Sequence, residues 1–462
     1  MTLAPDALLS IEYVRKRNLE RLGRRTFSGV STDSRTVKQG NLFVALRGEN
    51  FDGNAFVKQA FAGGAICAIV DERADDEPFR EKPHVIVRDT TRAFGELARF
   101  HRRKHSIPII AVAGSNGKTT SKEMISSVLR TRYSVLSTRG NLNNQVGVPQ
   151  TLFRLKPHHE IGVIEIGTNH AGEIESLCNI LEPTHGIITN IGREHLEFFQ
   201  DLDGVAKAEG ELFDALGKSG TGFVNVDDPR IVAEAKRLKR KKSYGFSKRP
   251  RVKGTFLALD DRGCAQFSVK EKGKQAFRVE LTMPGKHAAQ NALAAAAIGL
   301  SFGVSRQKIQ GALKKFTAVG KRMEVVRAGG VTVLNDTYNA NPDSVLSALE
   351  TLASMRCSGR KIVILADMLE LGTASQSEHE QIGRAIGRMG FEFLLTFGTM
   401  AKFINKFAEV NLKLHYDQKN VLSEYAAELA SPGDLVLVKG SRGMRMEDVV
   451  LFLQERLNGR PQ

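Results

Sequence analysis

The chain is poor in the features that would place it in a membrane, in an oxidising compartment or in a disordered state. No apolar run approaches the roughly 20 residues that a bilayer-spanning helix needs. The first ten residues, MTLAPDALLS, lack the charged and apolar regions of a signal peptide, so a cytoplasmic protein without membrane insertion is expected. Only four cysteines occur, Cys67, Cys178, Cys264 and Cys357, far apart and with no Cys-x-x-Cys pair, which argues against a disulfide framework or a thiolate zinc site. Low-complexity tracts are also missing, and 41% hydrophobic with 26% charged residues is a globular composition. Acidic residues are in deficit: 51 Asp and Glu against 67 Lys and Arg leave a net charge of +16. Such a balance suits polyanionic partners, among them nucleotides, nucleic acid and acidic membrane surfaces.

Two basic clusters stand out, RKRNLERLGRR (Arg15 to Arg25) and KRLKRKK (Lys236 to Lys242). Leucines at helical spacing in both predict amphipathic elements with a solvated basic face. Neither is accompanied by a nucleic-acid-binding signature, so no nucleic-acid partner is expected.

With 462 residues the chain has room for several domains. Residues 1–105 contain short glycine-punctuated strands (FSGVSTDSR, NLFVALRG, GAICAIV) and read as a small mixed α/β domain. Residues 106–318 alternate apolar strands (IPIIAVAG, IGVIEIG, HGIITNIG) with amphipathic helices, the pattern of a parallel sheet covered by helices. Three β-rich runs between Lys253 and Met283, separated by DDRG and EKGK, predict a small antiparallel meander, and an alanine-rich helix follows. Residues 319–462 resume strand–helix alternation as a second, Rossmann-like parallel domain, in which Asn341 caps a helix with Pro342 at its first position. The fold class is α/β throughout.

The most informative stretch is AVAGSNGKTT, Ala111 to Thr120. A strand that turns through glycines into a helix presents backbone N–H groups and a helix N-terminus to an anion, and a lysine at the turn neutralises it. A Walker A loop would have its first glycine at position 112, where this chain has Val112; the loop here is shorter and starts at Gly114. In this reading Gly114, Ser115, Asn116, Gly117, Lys118, Thr119 and Thr120 cradle ATP, with Lys118 on the β/γ-phosphates and the Thr119 hydroxyl on Mg²⁺. Glu165 closes the apolar strand IGVIE, from which a carboxylate reaches a metal beside such a loop.

GSNGKTT resembles the Gly-Thr-Asn-Gly-Lys-Thr-Thr loop of the Mur ligases, ATP-dependent amide-forming enzymes of bacterial cell-wall synthesis, with Ser115 where Thr is usual. The displaced glycine is a property of that family. The resemblance runs along nearly the whole chain. VSTDSR and GNLFVALRGENFDGNAFV are similar to the uridine-nucleotide-binding first domain, and TRGNLNNQVGVPQTL, EIGTNHAGEI and ITNIGREHLEFF to the central one. NDTYNANPDS, LADMLELG and VKGSRGMRME are similar to the last domain of the branch that adds a dipeptide.

The resemblance implies UDP-N-acetylmuramoyl-tripeptide and D-alanyl-D-alanine as substrates, ATP and Mg²⁺ as cofactors, an acyl-phosphate intermediate and a monomer. It implies a second Mg²⁺ contact for His195; approach to ATP by Asn291, Arg322 and Asp336; and contacts to the uridine substrate from Ser34, Arg35, Asn141, Asn143 and Asn144. Turn formation is the competing reading of the asparagines. At one position the chain departs from the family. Several members carry, fourteen residues beyond the histidine, a lysine that CO₂ converts to a carbamate; here that position is Glu209. Lys207 cannot replace it, because two residues along a helix turn the side chain by about 200°. Glu209 then supplies the negative charge directly and activity needs no bicarbonate, unless it is an ordinary exposed helix glutamate. A non-catalytic nucleotide-binding scaffold or a nucleic-acid-binding protein is the reading from a different class, against which the joint presence of Lys118, Thr119, Glu165 and His195 speaks.

Overall fold

The structure is a computed structural model that describes residues 3–48, 51–74, 79–247 and 249–459. Glu49 and Asn50 of the motif GNLFVALRGENFDGNAFV, and the first two residues, lie outside the described residues. Three large sheets follow one another along the chain, and the α/β class expected from the alternation is what they form.

The first sheet has five strands in the order Val14–Asn18, His84–Val87, Cys67–Asp71, Asn41–Val44, Gly29–Ser31. Only the first pair is antiparallel. Asn41–Val44 and Cys67–Asp71 are buried along their whole length, the signature of strands covered on both faces. The helix Thr90–Arg103 starts where the Asp89 carboxylate accepts the N–H groups of Thr91 and Arg92. It leads into the second sheet, onto which Arg99 and Arg103 are tied through the carboxylate of Glu182.

That second sheet has nine strands, in the order Phe277–Pro284, Cys264–Glu271, Val252–Leu259, Arg240–Gly245, Thr221–Asn225, His185–Ile188, Ile109–Ala113, Ile161–Glu165, Val135–Ser137. The predicted meander is antiparallel, yet it is no separate unit: Tyr244 pairs with Val252 and Gly245 with Lys253, so it continues the parallel sheet. The reason is packing. Val252, Phe267, Val279 and Met283 bury against the same alanine-rich helix, Lys286–Ser301, that covers the parallel strands. Alanines and Gly299 let that helix lie close on Lys118–Arg130; a Cβ at Gly299 would come within 2.5 Å of Val128 Cγ1.

The last sheet runs Glu324–Ala328, Val331–Asp336, Leu435–Lys439, Lys361–Ala366, Phe393–Phe397, Leu412–Tyr416. It is parallel except for the hairpin of its first two strands. Asn341 caps Pro342–Ser354 as expected, in a reciprocal capping box with Ser344.

The two basic clusters are not helices. Arg15–Arg25 is the strand Val14–Asn18 followed by a turn, and Lys236–Lys242 is a three-residue 3₁₀ turn at Ala235–Arg237 followed by the strand Arg240–Gly245. Pairing with His84–Val87 and with Thr221–Asn225 overrides the leucine spacing. Leu22 and Leu238 are single anchors buried beneath each segment, not a helical stripe. Among the described residues no helix is long and apolar enough to cross a membrane.

Candidate active site

The strand Ile109–Ala113, buried throughout, delivers the chain to Gly114. Val112 is still strand, paired with both Glu165 and Ile187, which is why no glycine is wanted there. The turn begins two residues later. Gly114 has φ +113°, and a Cβ on it would lie 2.3 Å from Thr189 Oγ1. Gly117, with φ +77°, is the N-cap of Lys118–Arg130, and a Cβ there would lie 2.8 Å from Asn291 Oδ1. Both positions therefore require glycine for conformation and for room. The turn 189–192 holds the loop in shape: Ser115 N–H donates to Asn190 O (2.9 Å), Asn116 N–H to Asn190 Oδ1 (3.0 Å), and Thr189 Oγ1 to Asn116 O (2.7 Å). The first-turn N–H groups of the helix are left facing the cleft, a preformed anion site.

Around this loop stand one lysine and three carboxylates. Lys118 Nζ is 3.4 Å from Glu194 Oε2. Burial opposes its charge, but Glu194, Glu209 and Glu165 outweigh burial and hold its pKa above the usual lysine value. Glu209, on the helix Leu202–Leu216, is completely buried and accepts the Gly114 N–H at 2.7 Å. The exposed-glutamate reading is thereby overturned. Burial pushes its carboxyl up to about 8, Lys118 pulls the other way, and Glu194 pushes further up. Lys207 is exposed on the other side of the helix, as helix geometry requires.

Glu165 is also buried, with Oε1 accepting from Asn143 Nδ2 at 2.9 Å. His195 sits at φ +49°, its Nδ1 2.7 Å from Glu370 Oε2 but out of hydrogen-bond alignment. That close ring holds the Glu370 carboxyl below its ordinary range against partial burial. Ten buried side-chain polar atoms among the described residues have no hydrogen-bond partner, and four of them that also lack an ion pair cluster here: Thr119 Oγ1, Glu165 Oε2, Glu194 Oε1 and Glu209 Oε1. Native interiors satisfy nearly all such atoms, so a cluster of exceptions marks a place built for something the chain does not supply. Thr119 Oγ1 and Glu165 Oε2 are hard oxygen donors that fit Mg²⁺, which keeps several waters and takes few protein ligands. Accordingly, no group of three His, Cys, Asp or Glu converges among the described residues.

The loop opens onto a cleft of about 860 Å³ whose opposite wall is the last domain. Arg322, Asp336, Asn291, Asn141, Asn143 and Asn144 all line it. Arg322 lies 3.5 Å over the ring of Tyr338, and Asp336 takes Lys439 Nζ at 2.6 Å and the Met323 N–H at 3.0 Å. Asn291 Oδ1 accepts from Ser121 Oγ at 3.1 Å. Of the asparagines, Asn144 accepts the N–H groups of Val146 and Gly147 and so serves the turn, whereas Asn143 braces Glu165.

Ser34 and Arg35 are not among the residues lining the cleft. Ser34 Oγ donates to Gln59 Oε1, and Arg35 pairs with Asp33 at 2.8 Å, which lowers the Asp33 carboxyl to about 2.

Sequence reasoning missed Glu194, Arg193 and Lys439. Arg193 joins the two walls: its backbone N–H and guanidinium hold Asp343 (2.7, 3.0 and 2.5 Å), and Nη1 reaches Glu378 at 2.7 Å. Beside it Asn341 Nδ2 donates to Asn116 Oδ1 of the phosphate loop at 2.9 Å. Lys439 alone left a signal, a charge closing the apolar strand LVLVK.

Three family models match in order: "Mur ligase family, catalytic domain" over residues 26–102, "Mur ligase middle domain" over 112–299, and "Mur ligase, glutamate ligase domain" over 321–442. The UDP-N-acetylmuramoyl-tripeptide–D-alanyl-D-alanine ligase of Bacillus subtilis is 34% identical over 432 residues, 92% of this chain and 93% of that protein. A crystal structure of MurF from Acinetobacter baumannii is similar with a TM-score of 0.90 at 30% identity, over 98% of this chain and 99% of the other. A MurF ligase from Thermotoga maritima, solved in complex with ADP, is similar with a TM-score of 0.84 at 25% identity, over 94% and 98%.

Proposed function

The chain belongs to the Mur ligase family, and from that premise we propose that it joins D-alanyl-D-alanine to UDP-N-acetylmuramoyl-tripeptide at the expense of ATP, in peptidoglycan precursor synthesis. The observation that carries the proposal is the group of unpartnered buried atoms around the phosphate loop, in a chain whose relatives bear that name along almost their full length. A monomer acting in the cytoplasm is part of the same proposal.

A carboxylate is a poor electrophile, and its oxygen a poor leaving group; phosphorylation removes both obstacles. The terminal carboxylate oxygen of the tripeptide attacks the γ-phosphorus of ATP, the bond to the β-phosphate oxygen breaks, and ADP leaves. The dipeptide amine then attacks the acyl carbon, the C–O bond breaks, and phosphate departs with that oxygen. Two anions meet in the first step, so fixed positive charge carries most of the catalysis. Lys118 and the N–H groups of the loop supply it, and the three carboxylates keep Lys118 charged although it is half-buried. Thr119 and Glu165 would hold Mg²⁺, which when bound neutralises phosphate charge.

Glu209 offers a carboxyl group where several relatives need a CO₂-modified lysine; burial raises its pKa to about 8, and cations brought into the site favour its charged form. It holds the Gly114 N–H in place and balances Lys118 from behind the loop. Arg322, Asp336 and Asn291 receive the nucleoside end from the walls of the cleft, and Asn141 and Asn143 the uridine substrate. Incubation with Mg-ATP, UDP-N-acetylmuramoyl-tripeptide and D-alanyl-D-alanine tests the assignment by product mass. A product heavier by one dipeptide, absent when either substrate is omitted, is expected; no product, or one formed with a single amino acid in place of the dipeptide, would contradict it.

A further inference from the structure

The positive charge of the chain is not spread evenly. Between Lys236 and Lys274 there are fourteen Lys and Arg against three Asp and Glu, so this segment alone carries +11 of the net +16. None of its residues lines the cleft, so attraction of ATP or a UDP-linked substrate into the site does not account for it. The segment forms the outer strands of the central sheet: Arg240–Gly245, Val252–Leu259 and Cys264–Glu271.

The strand registers gather the charges at one end. Ser243 Oγ accepts the Arg251 N–H, and Lys272 N–H donates to Arg251 O, which brings Lys241, Arg249, Arg251 and the hairpin Lys270–Lys274 together. The neighbouring strand measures the distance to the site. Phe277 pairs with Val269 at the basic end, while Met283, six residues on, lines the cleft, a separation of about 20 Å at the rise of a β-strand. Arg237, Arg251 and Arg262 are paired, with Asp214, Glu271 and Asp260 respectively. Lys239, Lys241, Arg249, Lys270, Lys272 and Lys274 are exposed and have no acidic partner among the described residues.

We infer that this basic end is a docking surface for an anionic lipid bilayer. Like charges crowded together oppose folding, so their retention on one exposed end fits a polyanion outside the molecule. Counting Lys236 and Arg240, also exposed and without an acidic partner among the described residues, six of the eight unpaired cations are lysines, mobile point charges suited to a diffuse surface potential, whereas paired recognition of individual phosphates or bases favours arginine. Nucleic acid fits less well. The cluster sits on strand ends and a hairpin turn, with no helix to enter a groove, and the aromatics of this end are not exposed: Tyr244 is buried, and Phe246 and Phe277 are half-buried, so no stacking platform is offered. No exposed apolar side chain lies among the unpaired lysines to anchor in hydrocarbon, so attachment is peripheral and electrostatic, with the catalytic cleft facing away at the other end of the sheet.

The test uses the full-length chain and co-sedimentation with vesicles rich in phosphatidylglycerol, beside pure phosphatidylcholine vesicles. Binding to the anionic vesicles only is expected, and it is lost on raising salt from about 0.1 M, where the Debye length is about 10 Å, towards 1 M. Reversing the hairpin (Lys270→Glu, Lys272→Glu, Lys274→Glu) lowers vesicle binding by at least about tenfold, with soluble ligase turnover and the unfolding midpoint unchanged. Failure of the native chain to bind anionic vesicles at low salt, or equal binding by the reversed variant, overturns the inference. Tighter binding of a random-sequence DNA duplex than of the vesicles through the same residues overturns the choice of partner.

Discussion

The two walls of the cleft are both rich in charge, but they handle it differently. On the central wall Thr119, Glu165, Glu194 and Glu209 each leave a buried polar atom without a partner. On the last-domain wall the charges are matched: Asp336 with Lys439 at 2.6 Å, and Asp343 and Glu378 with Arg193. An unpaired buried carboxylate costs free energy that folding alone does not return, so the central wall is arranged for its ligands; the paired wall is framework that can be moved against it as a body. Polar contacts between them include Asn341 on Asn116, Arg193 on Asp343 and Glu378, and His195 on Glu370. The first of these is in the phosphate loop itself, so seating of the last domain and the shape of the nucleotide site are mechanically joined.

The contrast can be broken at its centre. Lys118→Ala should lower turnover by about a thousandfold or more while leaving the fold intact, since it removes the one cation balancing three carboxylates and two substrates. Steady-state rates and an unfolding scan check both halves of that statement.

Glu209→Gln keeps an acceptor for the Gly114 N–H but removes the group that can ionise beside bound cations, and turnover should fall by roughly ten- to a hundredfold with little change in stability. Glu209→Lys sharpens the point: its activity should rise with added bicarbonate, which the native chain should ignore. Normal turnover in the glutamine variant would leave Glu209 a structural residue only.

Arg193→Ala attacks the junction between the walls. About tenfold lower kcat is expected, with the unfolding midpoint shifted little, because the apolar core shared by the two domains remains and only the polar seating at the cleft is lost. A large loss of stability with normal kcat would assign Arg193 to the framework instead.

The smallest effect lies outside both walls. His185, packed between Phe223 and Phe302, is lowered to about 4 by burial. The unfolded chain takes up its proton near pH 6.5 and the folded chain only near 4, so stability is full above about 6.5 and falls as pH drops through that window. The loss is about 3 kcal/mol by linkage, read from denaturant midpoints across pH, and His185→Phe should flatten it without altering turnover at neutral pH.

What could be read from the sequence follows the same divide. The strand, loop and helix from Ile109 to Arg130 are dictated locally, by an apolar run, two glycines and an amphipathic repeat, and they form as expected. Glu209 could be located only through the resemblance to the family, fourteen residues beyond His195, and its burial was not legible. Arg193 and Glu194 had no local signal, because their partners lie on elements 76 to 185 residues away along the chain. The antiparallel edge strand Glu324–Ala328 and the strand Leu412–Tyr416 were missed for a related reason: both are half-exposed edges whose only strong constraint is the neighbour they pair with. At Arg15–Arg25 and Lys236–Lys242 the leucine spacing was a weak local cue, and sheet pairing outweighed it.

The most direct measurement follows phosphate release from Mg-ATP in CO₂-depleted buffer, with the tripeptide carboxylate labelled with ¹⁸O. If the central wall transfers phosphate to that carboxylate and Glu209 supplies its own charge, release requires both tripeptide and dipeptide, one ¹⁸O appears in each phosphate, and added bicarbonate changes nothing. Unlabelled phosphate, or a rate that depends on bicarbonate, would contradict the account.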